Sequence, residues 1–298
     1  MVLHFLLWLV DKGGDALEKR KGMELYWERQ RKIRRLNLTS DLFSSVVFED
    51  ALALQDVLRI LTGISDLRVT RAEPQRSYRN LYGHGTVSDV WAEGEDGTQY
   101  NMEIQIAENE EHLRRSRFIQ SRVDSRTLDS GQKYEELPEL YLVFVTAKDF
   151  LKVKKGIVQA VRVVEGTQIL LNNGVHEIYA NLEYPSGSDI QKRLLGYMKN
   201  TDETDVSVAG FWHLAKRVRY LKNSEEGMRY MCELVEWERA EGRAEGKIED
   251  ILDILCELGR VPEAIRQRVE NETDFTVLGR WVRLAARAQS VSEFEKGM

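Results

Sequence analysis

Two cysteines, Cys232 and Cys256, are too few for a disulfide framework or a four-thiolate zinc site. The five histidines (His4, His84, His112, His176 and His213) are scattered, and none pair at ligand spacing, so a histidine-based zinc centre is not expected. No run approaches the ~18 apolar residues of a membrane span, and no membrane partner is expected. Positive charge is not in excess. The 298 residues carry 43 Lys+Arg against 49 Asp+Glu, a net charge of −6, which excludes a bulk basic protein of the histone type. Segregated charge still permits a nucleic-acid partner. The apolar opening Val2–Val10 has no basic residues before it and no small-residue cleavage site after it. No secretory signal is therefore expected, and Met23 offers a second start. The expected compartment is the cytoplasm, where both thiols stay reduced.

A soluble core is within reach, with 42% hydrophobic and 31% charged residues. Three regions are expected. Residues 1–35 form a basic N-terminal segment, with eight basic residues against three acidic ones from Glu18 to Arg35. Such an arm can neutralise phosphates or be a solvated helix face. Residues 36–200 mix helical and strand patterns. Residues 201–298 are helical, with Ala240–Gly246 (AEGRAEG) reading as linker-like between helices.

In the middle region, Leu42 to Leu61 has helical spacing stopped by Gly63, and Thr39–Asp41 offers capping oxygens. Leu67–Ala72 alternates like a strand that Pro74 ends. Thr86–Ala92 and Gln99–Ile106 alternate around Gly94-Glu95-Asp96-Gly97, which predicts a hairpin. An Arg-rich helix is expected over about Glu108–Gly131, bearing Arg114, Arg115, Arg117, Arg122 and Arg126. After Pro138, Leu140–Thr146 is a nearly unbroken apolar run that suits a strand buried on both faces. Ile157–Val164 and Val175–Leu182 predict two further strands.

The second strand of the hairpin carries the chemistry. Tyr100, Met102, Ile104 and Ile106 share one apolar face, so Asn101, Glu103 and Gln105 are expected to meet solvent, a site or a partner. A three-residue loop of Glu95-Asp96-Gly97 pairs Gly94 with Thr98 and sets Asp89 opposite Glu103, with Gly97 at the left-handed position. A two-residue Asp96-Gly97 turn shifts the register by one and sends Asp89 to the other face. The turn residues permit both registers, and the functional reading requires the first. Two such carboxylates make a hard oxygen site suited to Mg²⁺ or Mn²⁺, able to polarise a phosphodiester and activate water. The arginines offer phosphate contacts.

Several stretches together carry a resemblance. They are Leu38-Thr39-Ser40-Asp41-Leu42-Phe43, Ser88-Asp89-Val90-Trp91 leading to Asn101-Met102-Glu103-Ile104-Gln105, and Arg117-Phe118 running into Gly131–Leu137. Tyr141–Val145 and the charged tail Glu238–Gly246 continue it. From Leu36 to about Asp250 the chain resembles the PD-(D/E)XK nuclease-family transposases, the recombination-promoting nucleases. The resemblance implies an α/β, restriction-endonuclease-like mixed β-sheet flanked by helices, with a helical C-terminal region. It implies an Mg²⁺-dependent DNA endonuclease linked to recombination. By the same likeness Asp89 and Glu103 are metal ligands, Gln105 stands where the superfamily usually has lysine, and Asp41 matches the helical acid before the sheet. The alternative is a non-catalytic DNA-binding or assembly module on a decayed nuclease fold. A homodimer stays an open alternative.

Overall fold

The computed structural model describes residues 16–78, 86–106, 111–201 and 210–298. It divides into two compact units, 1–228 and 229–298. The opening apolar run lies outside the described residues.

The first unit begins with α1 (Ala16–Arg35), α2 (Asp41–Phe48) and α3 (Ala51–Thr62). The Leu42–Leu61 pattern is therefore two helices, because Asp50 interrupts it. Asp50 has extended backbone, and its carboxylate accepts from the N–H groups of Leu52 (3.0 Å) and Ala53 (3.2 Å) as the N-cap of α3. Gly63 closes α3 in the left-handed conformation (φ +79°), which a side chain would disfavour. Leu54, Val57 and Leu58 on α3 are fully buried. The C-terminal end of α1 is also part of this core: Ile33 is buried, and the buried Lys222 donates from Nζ to the carbonyl of Arg34 (2.9 Å).

A six-stranded mixed sheet follows, in the order β1-β2-β3-β4-β8-β5. β1 (Val69–Tyr78), β2 (Thr86–Gly94) and β3 (Gln99–Gln105) run antiparallel to one another. β3 is parallel to β4 (Leu140–Thr146), and β4 to β8 (Val175–Asn181). β5 (Ile157–Ala160) lies antiparallel to β8 at the far edge. Pro74 sits within β1, opposite Val90, rather than ending it. This is tolerated because β1 is an edge strand, where a missing N–H costs no ladder bond. The expected strand Ile157–Val164 is split. Beyond Ala160, which pairs with Glu177, β8 is about to run out. The chain instead forms a short ribbon of β6 (Arg162–Val163) and β7 (Leu170–Leu171), turning at Gly166 (φ +74°).

The strands β3 and β4 are joined through α4 (His112–Thr127), shorter than the sequence pattern suggests, and a 3₁₀ turn at Tyr134–Glu136. Parallel neighbours require such a crossover. Ile119 and Val123 of α4 pack on Leu142, Phe144 and Tyr179, which covers one face of the sheet. α2 and α3 pack against strands β1, β2 and β8. Leu142, Val143, Phe144 and Val145 are accordingly all fully buried, as a strand covered on both faces should be. α5 (Asp189–Lys199) and α6 (Trp212–Asn223) complete this part of the chain.

α7 (Glu225–Leu258) runs unbroken through Ala240–Gly246, so the linker expectation is overturned. Gly242 and Gly246 each weaken a helix by about 1 kcal/mol relative to Ala. Packing of Ala244 and Ile248 onto the core of the second unit outweighs that cost. This core joins Ile251 and Leu255 to α8 (Glu263–Glu270), α9 (Phe275–Ala285) and α10 (Val291–Gly297) through Ile265, Val269, Leu278, Trp281 and Phe294. Asp274 caps α9 through the N–H of Thr276 (2.7 Å).

Candidate functional site

The hairpin register decides which residues share a face. Ala92 lies opposite Tyr100, Trp91 opposite Asn101 and Val90 opposite Met102. Gly94 donates its N–H to the carbonyl of Thr98 (2.8 Å), Gly97 donates to that of Gly94 (3.1 Å), and Gly97 has φ +83°. The connection is the three-residue loop, not the two-residue turn. The next β2 residue after Val90 is Asp89, and the next β3 residue after Met102 is Glu103. The Asp89 side chain lies outside the described residues.

On β3, Tyr100, Met102 and Ile104 are buried on one face, as expected. The opposite face is not solvated. Asn101 and Glu103 are both 0% exposed because α4 lies over them. The Glu103 carboxylate is held at both oxygens. Asn101 donates from Nδ2 to Oε1 (3.1 Å), while Arg115 of α4 donates to Oε2 from Nη2 (2.7 Å) and Nε (3.2 Å). A buried carboxylate needs such partners, since losing water without them costs several kcal/mol. The arginine is 37% exposed on its side chain, so one end of the pair reaches water.

Neighbouring strands extend this face. Glu103 is in register with Phe144 on β4 and, beyond it, Tyr179 on β8. The Tyr179 hydroxyl donates to Glu177 (3.1 Å), and burial, followed by the Glu177 charge, raises its pKa above the ordinary tyrosine value. One row further, Gln105, Thr146 and Asn181 align as polar residues at the C-terminal ends of three parallel strands. Gln105 is half-buried, Thr146 donates to the carbonyl of Lys148 (2.9 Å), and Asn181 donates to that of Lys155. Such strand ends are where open α/β sheets place ligands.

Helix α4 delivers His112 and Ser116 to its buried side, one turn apart and next to Arg115. His112 is buried and stands 4.7 Å, ring to ring, from Phe150. Burial, and then the Arg115 charge, hold its pKa below 6.5. His112, Arg115 as a carboxylate partner, and Tyr179 were not singled out in the sequence. For His112 the signal is its four-residue spacing from Ser116, which puts both on the inner helix face, while no spacing marks Arg115 or Tyr179. Asp41 is carried by α2 and Glu103 by β3. Asp41 is exposed in the first turn of α2, after the N-cap Ser40, which makes no side-chain cap bond.

The donor chemistry fits a hard divalent cation in kind, with a buried carboxylate at Glu103 and an amide oxygen two residues on at Gln105. Among the described residues no three His, Cys, Asp or Glu side chains converge as a cage. Among them, no helix is long and apolar enough to cross a membrane.

A family model for the PD-(D/E)XK nuclease family transposases matches residues 52–238, well over half of the chain. The chain belongs to that family, and its mixed sheet flanked by helices is consistent with the restriction-endonuclease-like fold. These are nucleases, which generally use divalent metal ions, and the family implies DNA as substrate. The match includes Asp89, Glu103 and Gln105, while Asp41 precedes it. No curated protein and no solved structure matches the chain.

Proposed function

We propose that this protein is a cytoplasmic, Mg²⁺-dependent DNA endonuclease serving recombination, with its site at the C-terminal end of β3. The observation that carries this reading is the fully buried Glu103, held by Asn101 and Arg115 inside the nuclease-family match. Burial fixes the carboxylate so that it need not reorganise during the reaction, and this preorganisation is the main protein contribution to electrostatic catalysis.

In this reading Asp89 and Glu103 hold the cation and Asp41 adds a helical carboxylate. A bound divalent ion, Mg²⁺ or Mn²⁺, supplies charge stabilisation on the phosphodiester and a more acidic water. The Gln105 amide orients that water through its carbonyl oxygen, without the positive charge that lysine gives elsewhere in the superfamily. The exposed Arg114 and Arg117 on α4 contact phosphates and fix the duplex without reading its sequence.

Nicking of supercoiled plasmid with Mg²⁺ or Mn²⁺ tests the proposal. Wild type is expected to nick, and Glu103→Gln to lose about 100-fold or more, roughly 2.7 kcal/mol of barrier. Gln105→Ala should lose about 10-fold, about 1.4 kcal/mol. If wild type and Glu103→Gln leave the plasmid equally intact while still binding it, the protein is a DNA-binding module on a decayed nuclease fold.

A further inference from the structure

We propose that Arg115 is an exchangeable counter-ion that gates cation entry, leaving Glu103 for a DNA phosphate when the cation binds. The inference rests on the nuclease reading of Glu103 and adds a coupling between its two ligands.

Three features carry it. First, both Arg115 donors go to the same oxygen, Oε2, while Oε1 is held separately by Asn101. The arginine can leave without stripping the carboxylate of all its hydrogen bonds. Second, the pair is asymmetric: Glu103 is sealed at 0% exposure, whereas 37% of the Arg115 side chain is exposed. Only the arginine has a path to solvent and to a duplex outside. Third, α4 also carries the exposed Arg114 and Arg117, which face away from Glu103 but add to the positive charge that draws a phosphate towards the helix.

A divalent ion on Oε2 and a guanidinium on the same oxygen are like charges a few ångströms apart in a poorly screened site. They compete. A phosphate offers the displaced guanidinium an equivalent charge-assisted pair, since arginine suits both anions. Cation and DNA binding should therefore be mutually reinforcing, because linkage is reciprocal. A purely structural Arg115–Glu103 pair would stabilise the fold and leave only the coupling that direct attraction between cation and phosphate supplies, which loss of the arginine would not reduce.

The test is Mn²⁺ affinity of the full-length protein, read by electron paramagnetic resonance with and without a short phosphorothioate duplex. Arg115→Gln, with folding checked by circular dichroism, should bind Mn²⁺ about 5–10-fold tighter than wild type without DNA, at tenfold per 1.4 kcal/mol. Arg115→Lys keeps the charge and should stay within about twofold of wild type by the same arithmetic. The duplex should tighten Mn²⁺ binding more in wild type than in Arg115→Gln. The proposal is overturned if folded Arg115→Gln binds Mn²⁺ no tighter than wild type. It is equally overturned if the wild type shows no duplex coupling, a measurement that stands even when Arg115→Gln fails to fold. Glu103→Gln separates the two ideas. If it binds Mn²⁺ as wild type does, the cation site at Glu103 is wrong, and the gate falls with it. If it loses Mn²⁺ while the arginine variants match wild type, only the gate is wrong.

Discussion

Glu103 and Arg115 meet across the layer between β3 and α4 at 2.7 Å, one member sealed and the other open to water. The two halves of the pair should therefore differ in what their loss costs. Arg115→Ala leaves a buried charge with Asn101 as its remaining partner, and should destabilise by about 2–4 kcal/mol. Glu103→Gln removes the buried charge and leaves an arginine that can rehydrate, so about 1 kcal/mol is expected. Urea denaturation of both variants at neutral pH checks the order. Equal costs would mean that the carboxylate is better solvated than its burial indicates.

His112 gives the fold an acid sensitivity. Its folded pKa lies below the ordinary 6.5 because burial, and then Arg115, disfavour the imidazolium. The unfolded chain thus takes up the proton first. The stability tied to the neutral ring is fully present above about pH 6.5 and is lost as the pH falls through the lower folded value. Denaturant midpoints at pH 7.5 and 5.5 should drop more in wild type than in His112→Gln. An unchanged difference would remove His112 as the titrating group.

Asp56 is a buried acid with a structural task. Its carboxylate accepts from the N–H groups of His213 (2.7 Å) and Leu214 (3.2 Å) at the start of α6, and lies 3.1 Å from His213 Nδ1. It satisfies the free N–H groups of that helix end and complements its positive dipole. Asp56→Ala should cost about 1–2 kcal/mol. Asp56→Asn keeps an acceptor oxygen and should cost less. Thermal denaturation of the two variants checks the sequence of effects, and an unperturbed Asp56→Ala would contradict it.

Gly242 and Gly246 lie in mid-helix, with open space where a Cβ would stand. Replacing each by Ala should stabilise by about 0.5–1 kcal/mol, since the unfolded chain loses freedom and nothing clashes. Chemical denaturation followed by helical circular dichroism reads this. A loss of stability would show that the backbone there is not ordinary helix.

The short-range features were legible in the sequence because they depend on neighbours along the chain. Gly63, Gly97 and the alternation from Gln99 to Gln105 announce their elements through backbone sterics and period alone. The buried strand at Leu140–Thr146 announced itself through composition. Which of solvent, a site or a partner meets Asn101 and Glu103 is not legible along the chain, for a definite reason. A polar stripe reads the same whether water or an arginine from a helix twelve residues on satisfies it. The linker expectation at Ala240–Gly246 failed, since glycine lowers local helix propensity while packing from α8–α10 supplies the compensation.

What the sequence determined by itself is a βαβ-bearing nuclease-family chain with an acid and an amide two residues apart on one strand face. Period and turn chemistry are local and survive without a fold. Only the tertiary structure decided that Glu103 is sealed, that Arg115 rather than water answers its charge, and that Gln105, Thr146 and Asn181 end in one row. Those relations follow from strand register and from α4 lying across the sheet, which bring together residues that no spacing along the chain connects.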